Sequence, residues 1–243
     1  MTTLYEALRD SVAEARLVAA ATVIRGAGLG GKLLLWPNGA TMGSLGSPQL
    51  DETVRKRMME QLATQQAERF TLPWAGETLE IFVDVHAPPP KLVIVGAVHM
   101  AIPLVTFGKA LGFYTVVLDA RSAFATPERF AHADRLLIQW PADALPTLGI
   151  DESTCVVVLT HDEKIDNPAL AFAVRSPARY IGALGSKKTH ARRVAALHEL
   201  GVTDAEIARI HAPIGLDIGA RRPEEIAVSI IAQIVAVVNG AAA

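Results

Sequence analysis

The sequence predicts an α/β chain: a Rossmann-like parallel sheet in the C-terminal half, preceded by a smaller α+β domain. Three observations carry this. Residues 91–121 hold an apolar run (Leu92, Val93, Ile94, Val95) stopped by Gly96, then a helical stretch, then a second strand over 114–118 ending in Asp119. Further strand-like runs over 135–139, 155–159 and 179–183 alternate with helical segments, as in a doubly wound sheet. Ala87 and the prolines through Pro90 make a stiff polyproline-like spacer, so the boundary is set between 1–87 and 88–243.

In the N-terminal part, residues 2–15 read as an amphipathic helix with Leu4, Leu8, Val12 and Ala15 on one stripe. A buried strand is expected over 17–24. The glycine-rich turn from Gly26 to Gly31 leads into a strand over 32–36, and Pro37, Asn38 and Gly39 close a hairpin into a third over 40–45. No helix and no lysine–hydroxyl pair follow that turn, so a plain hairpin accounts for it better than phosphate binding does. Ser47 is placed as the N-cap of a helix over 48–67, with Pro48 at its first position. Ser44, Ser47 and free amides at such a start can hold an oxyanion, although capping alone explains them. Strands over 69–72 and 78–85 complete the domain.

In the C-terminal part the unit is strand, glycine turn, helix, strand, acid, the layout of a mononucleotide-binding half. Ile102, Val105 and Leu111 are expected on the buried side of the crossover helix. Gly96 lets the backbone leave the strand tightly, and the first amides of the next helix form an anion site. Val98 stands where a second glycine would admit a pyrophosphate, so the fingerprint is incomplete. Asp119 is positioned to take a ribose hydroxyl and Arg121 a 2′-phosphate. The run from Cys155 ends at Thr160, His161 and Asp162, on the carboxyl edge where open α/β sheets bind ligands. His161 and Asp162 are the catalytic candidates, with loop-shaping hydrogen bonds as the alternative. Cys155 reads as a buried structural thiol.

Asn167 is expected to cap a helix with Pro168 at its first position. Gly185, Ser186, Lys187 and Lys188 open the next helix as a second anion site, with a solvated basic start as the alternative. Thr203 and Glu206 frame a capping box. Asp217 lies among Pro213, Ile214, Leu216 and glycines, which suggests a buried acid in need of a partner. Pro223 opens the last helix. His99, His161 and Asp162 have no spacing diagnostic of a metal site, so none is assigned.

The 243 residues are 51% hydrophobic and 20% charged, with formal net charge −2. There is no basic footprint for nucleic acid or anionic membrane. One cysteine excludes an internal disulfide and fits a reducing, cytoplasmic setting. The acid-containing N-terminus is unlike a signal peptide. The apolar run over 226–238 is too short to span a bilayer. Positive mean hydropathy suggests a surface partly covered in an oligomer, and a homodimer is expected.

Several blocks in order resemble the xanthine dehydrogenase accessory (XdhC/CoxI) family: GAVHMA, VVLDAR, LTHDEKIDNPAL, YIGALGSKKTHARR and APIGLDIGARRPEEIAVSI. The resemblance implies a small N-terminal domain plus a Rossmann domain, which together help load molybdenum cofactor (molybdopterin) into an apo xanthine or carbon monoxide dehydrogenase. It implies that Gly96, His99, Asp119, Arg121, Thr160, His161, Asp162, Gly185, Ser186, Lys187 and Asp217 line the Rossmann cleft, with Val98 in the turn. Where the family reads roughly Gly-Ser-x-x-Gly-Gly-Cys-x-Glu, this chain has GSLGSPQLDE, with Gln49 in the cysteine's place and Asp51 in the acid's. The family's longer glycine loop is shortened to GAGLGG. Two further readings are an NAD(P)-dependent oxidoreductase with His161 as proton donor, and a non-catalytic nucleotide-binding regulator.

Overall fold

The structure is a computed structural model that describes residues 2–241. The chain divides into two compact units, one ending at Pro89 and the other beginning at Pro90. Each has its own core.

In the first unit, β1 (Val18–Arg25), β2 (Lys32–Leu35), β3 (Thr41–Ser44), β4 (Glu68–Trp74) and β5 (Glu77–His86) form an antiparallel sheet in the order β3-β2-β1-β5-β4. Alternation in β1 sends Ala19, Ala21 and Val23 to one face. There they meet Leu50, Val54, Met58 and Leu62, a four-residue-spaced stripe of α2 (Pro48–Thr64). That helix stops before the expected Ala67, because Gln65 turns left-handed at φ 55°. The expected stripe of α1 (Leu4–Ala13) is also corrected. Val12 is exposed, and Ser11 is buried in its stead, donating to the Ala7 carbonyl and accepting from Trp36 Nε1 at 3.0 Å. Ala15 lies beyond the helix.

The second unit carries β6 (Lys91–Val95), β7 (Tyr114–Leu118), β8 (Arg135–Leu137), β9 (Cys155–Val158), β10 (Tyr180–Ala183) and β11 (Ile210–His211). All run parallel in the order β11-β10-β9-β6-β7-β8. The expected strand ends at Gln139 and Leu159 are trimmed, as is the start at Arg179. Both faces are covered, so the central strands are runs of mostly apolar residues rather than alternating with polar ones. Val93, Val95, Val116 and Val158 pack on one face with α6 (Glu163–Arg175); Leu92, Ile94, Val117 and Val157 pack on the other with α3 (Ala101–Ala110) and α9 (Pro223–Val238). Of the side chains expected to face the sheet from α3, Val105 does so. Leu111 is half exposed, Ile102 is only partly covered, and Leu104 is buried instead; Gly108 lets the helix close on Leu92.

Two expectations for later elements are corrected. α6 starts four residues before Asn167, capped by Asp162, whose side chain accepts the Lys164 N–H at 3.0 Å. Pro168 therefore lies inside the helix and removes one ladder bond. The helix continues because Ile165, Ala169, Leu170, Ala173 and Val174 are buried. Asp217 is exposed in the loop before α9, since Gly215 and Leu216 turn the chain outward after Ile214 enters the core. α7 (Lys187–Glu199) and the one-turn α8 (Asp204–Ile207), with its Thr203–Glu206 capping box, complete the unit along with two one-turn helices, α4 (Pro127–Phe130) and α5 (Pro141–Ala144).

Candidate functional site

Strand order reverses between β6 and β9, and the crevice at that switch is where a sheet of this topology presents its loops to a ligand. Gly96 ends β6 at φ 115°, and its N–H donates to the Leu118 carbonyl. A Cβ there would sit 2.7 Å from Thr160 Cγ2, so glycine is what allows the ends of β6 and β9 to approach. Asp119, at the end of β7, is fully buried. Its carboxylate accepts the Ala97 N–H at 2.8 Å, the Arg121 N–H at 3.0 Å, and Arg121 Nε and Nη2 at 2.9 and 2.8 Å. Burial pushes this carboxyl up, but the Arg121 and Ala97 donors outweigh burial and hold it below the usual carboxylate range. Asp119 therefore ties the turn after β6 to the end of β7 rather than offering an open acceptor. Arg121 stacks over Phe124 at 4.5 Å and remains partly exposed.

Beside this lock, Val98, Arg121, Leu159, Thr160, His161, Asp162, Glu163 and Lys164 line a crevice of about 660 Å³. His161 is exposed there and Asp162 half-buried. Asp162 caps α6, so it shapes the loop. Thr160 is buried and donates to Asp166, whose other oxygen takes Arg193 Nη2 at 3.2 Å. Burial pushes the Asp166 carboxyl up to about 6, against the opposing pull of Thr160 and Arg193.

The other expected residues are not among those that line this crevice. His99 is exposed ahead of α3. Gly185 packs on Thr189, Ser186 caps α7 by accepting the Thr189 N–H, and Lys187 is exposed at that helix start. Asp217 lies in its own exposed loop. In the first unit, the Ser44 and Ser47 hydroxyls accept the Gly46 and Leu50 N–H groups, so capping accounts for both. Asp51 accepts from Leu45 N at 2.7 Å, and Gln49 is exposed on α2. Burial pushes the Cys155 thiol up to about 12, which leaves it inert. Among the described residues no group of three or more His, Cys, Asp or Glu is placed to hold a metal ion.

Lys164, Asp166 and Arg193 escaped the sequence reading. The signal for the last two was a charge on a buried helical stripe: Asp166 beside Ile165, Ala169 and Leu170, and Arg193 four residues before Leu197.

Residues 92–234 match the family model described as the XdhC Rossmann domain, and residues 11–72 match that of the XdhC and CoxI family. The chain is 29% identical over 222 residues, 86% of its length, to the uncharacterized protein YqeB of Escherichia coli, of which the match covers 41%. It is 32% identical over 164 residues to a protein of Bacillus subtilis named as a probable xanthine dehydrogenase subunit, covering 68% of this chain and 48% of that protein. It is 33% identical over 127 residues to the molybdenum cofactor insertion chaperone PaoD of Escherichia coli, covering 52% and 39%. The chain thus spans less than half the length of these curated relatives. A crystal structure of a xanthine dehydrogenase from Bacillus halodurans superposes over 96% of this chain and 95% of that one, with TM-score 0.57 and 22% identity, a likeness of fold.

Proposed function

The chain belongs to the XdhC and CoxI family, and from that premise we propose that it is a maturation factor that holds molybdenum cofactor and assists its insertion into an apo xanthine or carbon monoxide dehydrogenase. Similarity to an insertion chaperone supports the reading. The observation that carries it is the crevice at the strand-order switch. It opens beside a buried acid–arginine lock and offers Arg121, His161 and Lys164 to an anionic guest.

These residues fit the phosphate-bearing end of a molybdopterin, which needs cations and hydrogen-bond donors. When bound, the cofactor would supply the redox-active molybdenum that the recipient enzyme needs. The chain's own part is to orient and shelter: Asp119 keeps Arg121 fixed at the rim, Thr160 is held by Asp166, and His161 and Lys164 would hold the phosphate. No thiolate is contributed by Cys155, which is buried, or by position 49, which is glutamine. The guest is therefore held through its phosphate and not through a cysteine ligand to the metal. The Asp119 oxygens are already engaged, so the ribose contact typical of a nicotinamide dinucleotide has no open acceptor at that position.

The test is to purify the protein from cells making molybdenum cofactor, release and oxidise the bound pterin, and follow its fluorescence and the reconstitution of an apo-dehydrogenase. Bound pterin and restored dehydrogenase activity are expected. Both should fall at least about tenfold in the His161→Ala, Lys164→Ala double variant, since each charge-assisted contact contributes about 1.5–3 kcal/mol. A protein that carries no pterin and restores no activity would refute the proposal.

A further inference from the structure

A second, smaller pocket lies between α6 and α7. Its volume is about 80 Å³, and its walls include His161, Asp166, Asn167, Thr189, Arg192 and Arg193. Arg193 has a side chain only 5% exposed. Its Nη2 is used twice, on Asp166 at 3.2 Å and on the Leu184 carbonyl at 3.0 Å. Its Nη1 is buried with no hydrogen-bond partner. A buried guanidinium N–H without an acceptor is costly, and a water or an oxyanion in the pocket would relieve that cost.

We propose that this pocket is a binding site for a tetrahedral oxyanion of phosphate size, held by Arg193, Arg192 and the Thr189 and Asn167 side chains. The inference goes beyond the cofactor reading and stands whether or not a pterin occupies the larger crevice. Two guanidinium groups are set at the second turn of α7, with a hydroxyl and an amide within the same walls. Arginine forks match the edges of phosphate and sulfate oxyanions. The volume admits one phosphate group and excludes a nucleoside. The exposed Lys187 and Lys188 at the start of the helix are not among the lining residues.

The charged and ionisable groups in the pocket wall are Glu163, Asp166, His161, Arg192 and Arg193. Glu163 is exposed at the rim. Asp166 faces Arg193 from α7 and Thr160 and His161 from the loop after β9, and it lies within the field of Arg121 from the loop after β7. As Asp166 takes up a proton near pH 6, a negative charge beside the pocket is removed and Arg193 is released for the ligand. Binding therefore tightens as pH falls.

Isothermal titration of the full chain with inorganic phosphate, methyl phosphate and dimethyl phosphate tests the site. Phosphate is expected to bind one to one. Equal binding of methyl phosphate would identify the guest as the terminal phosphate of a larger molecule. Its exclusion would identify a free ion. Dimethyl phosphate should not bind. Arg192→Gln, on an exposed side chain, should weaken phosphate binding about tenfold, and Lys188→Gln less than twofold; Arg193→Gln should abolish it. Arg193 also supports the Leu184 carbonyl, so the Arg192 result decides if that variant fails to fold. Sulfate, whose charge does not change between pH 5 and 8, should bind several-fold more tightly at pH 5.5 than at pH 7.5. No heat from phosphate up to 10 mM (about −2.7 kcal/mol in binding free energy), or equal effects of the Arg192 and Lys188 changes, would overturn the assignment.

Discussion

At the scale of single residues, two buried carboxylates near the strand-order switch respond to their surroundings in opposite ways. Asp119 receives four hydrogen bonds from Ala97 and Arg121 and stays ionised. Asp166 has Thr160 and one arginine nitrogen, and burial prevails, raising it to about 6 from an ordinary 3.8. The sign follows. Between those values the folded chain holds a proton on Asp166 that the unfolded chain has lost, so this group makes stability fall as pH rises from about 4 to 6. Relative to Asp166→Asn, the wild type should lose on the order of 3 kcal/mol across that window, at 1.36 kcal/mol per pH unit. Urea unfolding of both proteins from pH 4 to 7 measures the difference. A constant gap would show that Asp166 does not titrate there. Gly96 and Asp119 were legible in the sequence as the turn and strand end of a nucleotide-binding half. The role of Asp119 was not, because the donors that occupy it come from a backbone amide and a side chain whose directions depend on the packed turn.

At the scale of elements, α6 shows how packing overrides a local rule. Pro168 suggested a helix start, yet Asp162 caps the helix a turn and a half earlier and the buried face carries it through. The apolar loop before α9 is fastened in a similar way by an unannounced partner. Gln233 Oε1 accepts the Tyr180 hydroxyl at 2.6 Å and the Gly215 N–H at 2.8 Å, tying β10, the loop and α9 together. Tyr180 also stacks on His211 of β11, with ring centroids 4.9 Å apart. Gln233→Leu leaves two donors without an acceptor and should destabilise the chain by about 2–6 kcal/mol, at 1–3 kcal/mol per group left unsatisfied. Hydrogen exchange at the Gly215 amide should accelerate together with the loss in stability. An unchanged midpoint and unchanged protection would remove the loop-anchoring role of Gln233.

At the scale of the whole molecule, each unit has a core of its own among the described residues. The core of the first runs from Ala19 to Val83, and the two faces of the parallel sheet draw on residues from Leu92 onward. We propose that the units are independent folding domains. A fragment of residues 90–243 should then unfold in one cooperative transition and keep its Gly215 amide protected; a fragment that binds a hydrophobic dye and melts without cooperativity would argue otherwise. Among the described residues no helix is long and apolar enough to cross a membrane. The sequence by itself determined the architecture, because apolar runs, glycine turns and the proline spacer act locally and repeat in a fixed rhythm along the chain. Only the tertiary structure decided which charged groups meet. Asp166 and Arg193 are 27 positions apart, and their pairing depends on α6 and α7 being packed side by side. Asp119 is closed off by its near neighbour Arg121 together with the Ala97 amide, which the packed turn brings to it, and Asp217 lies in an exposed loop.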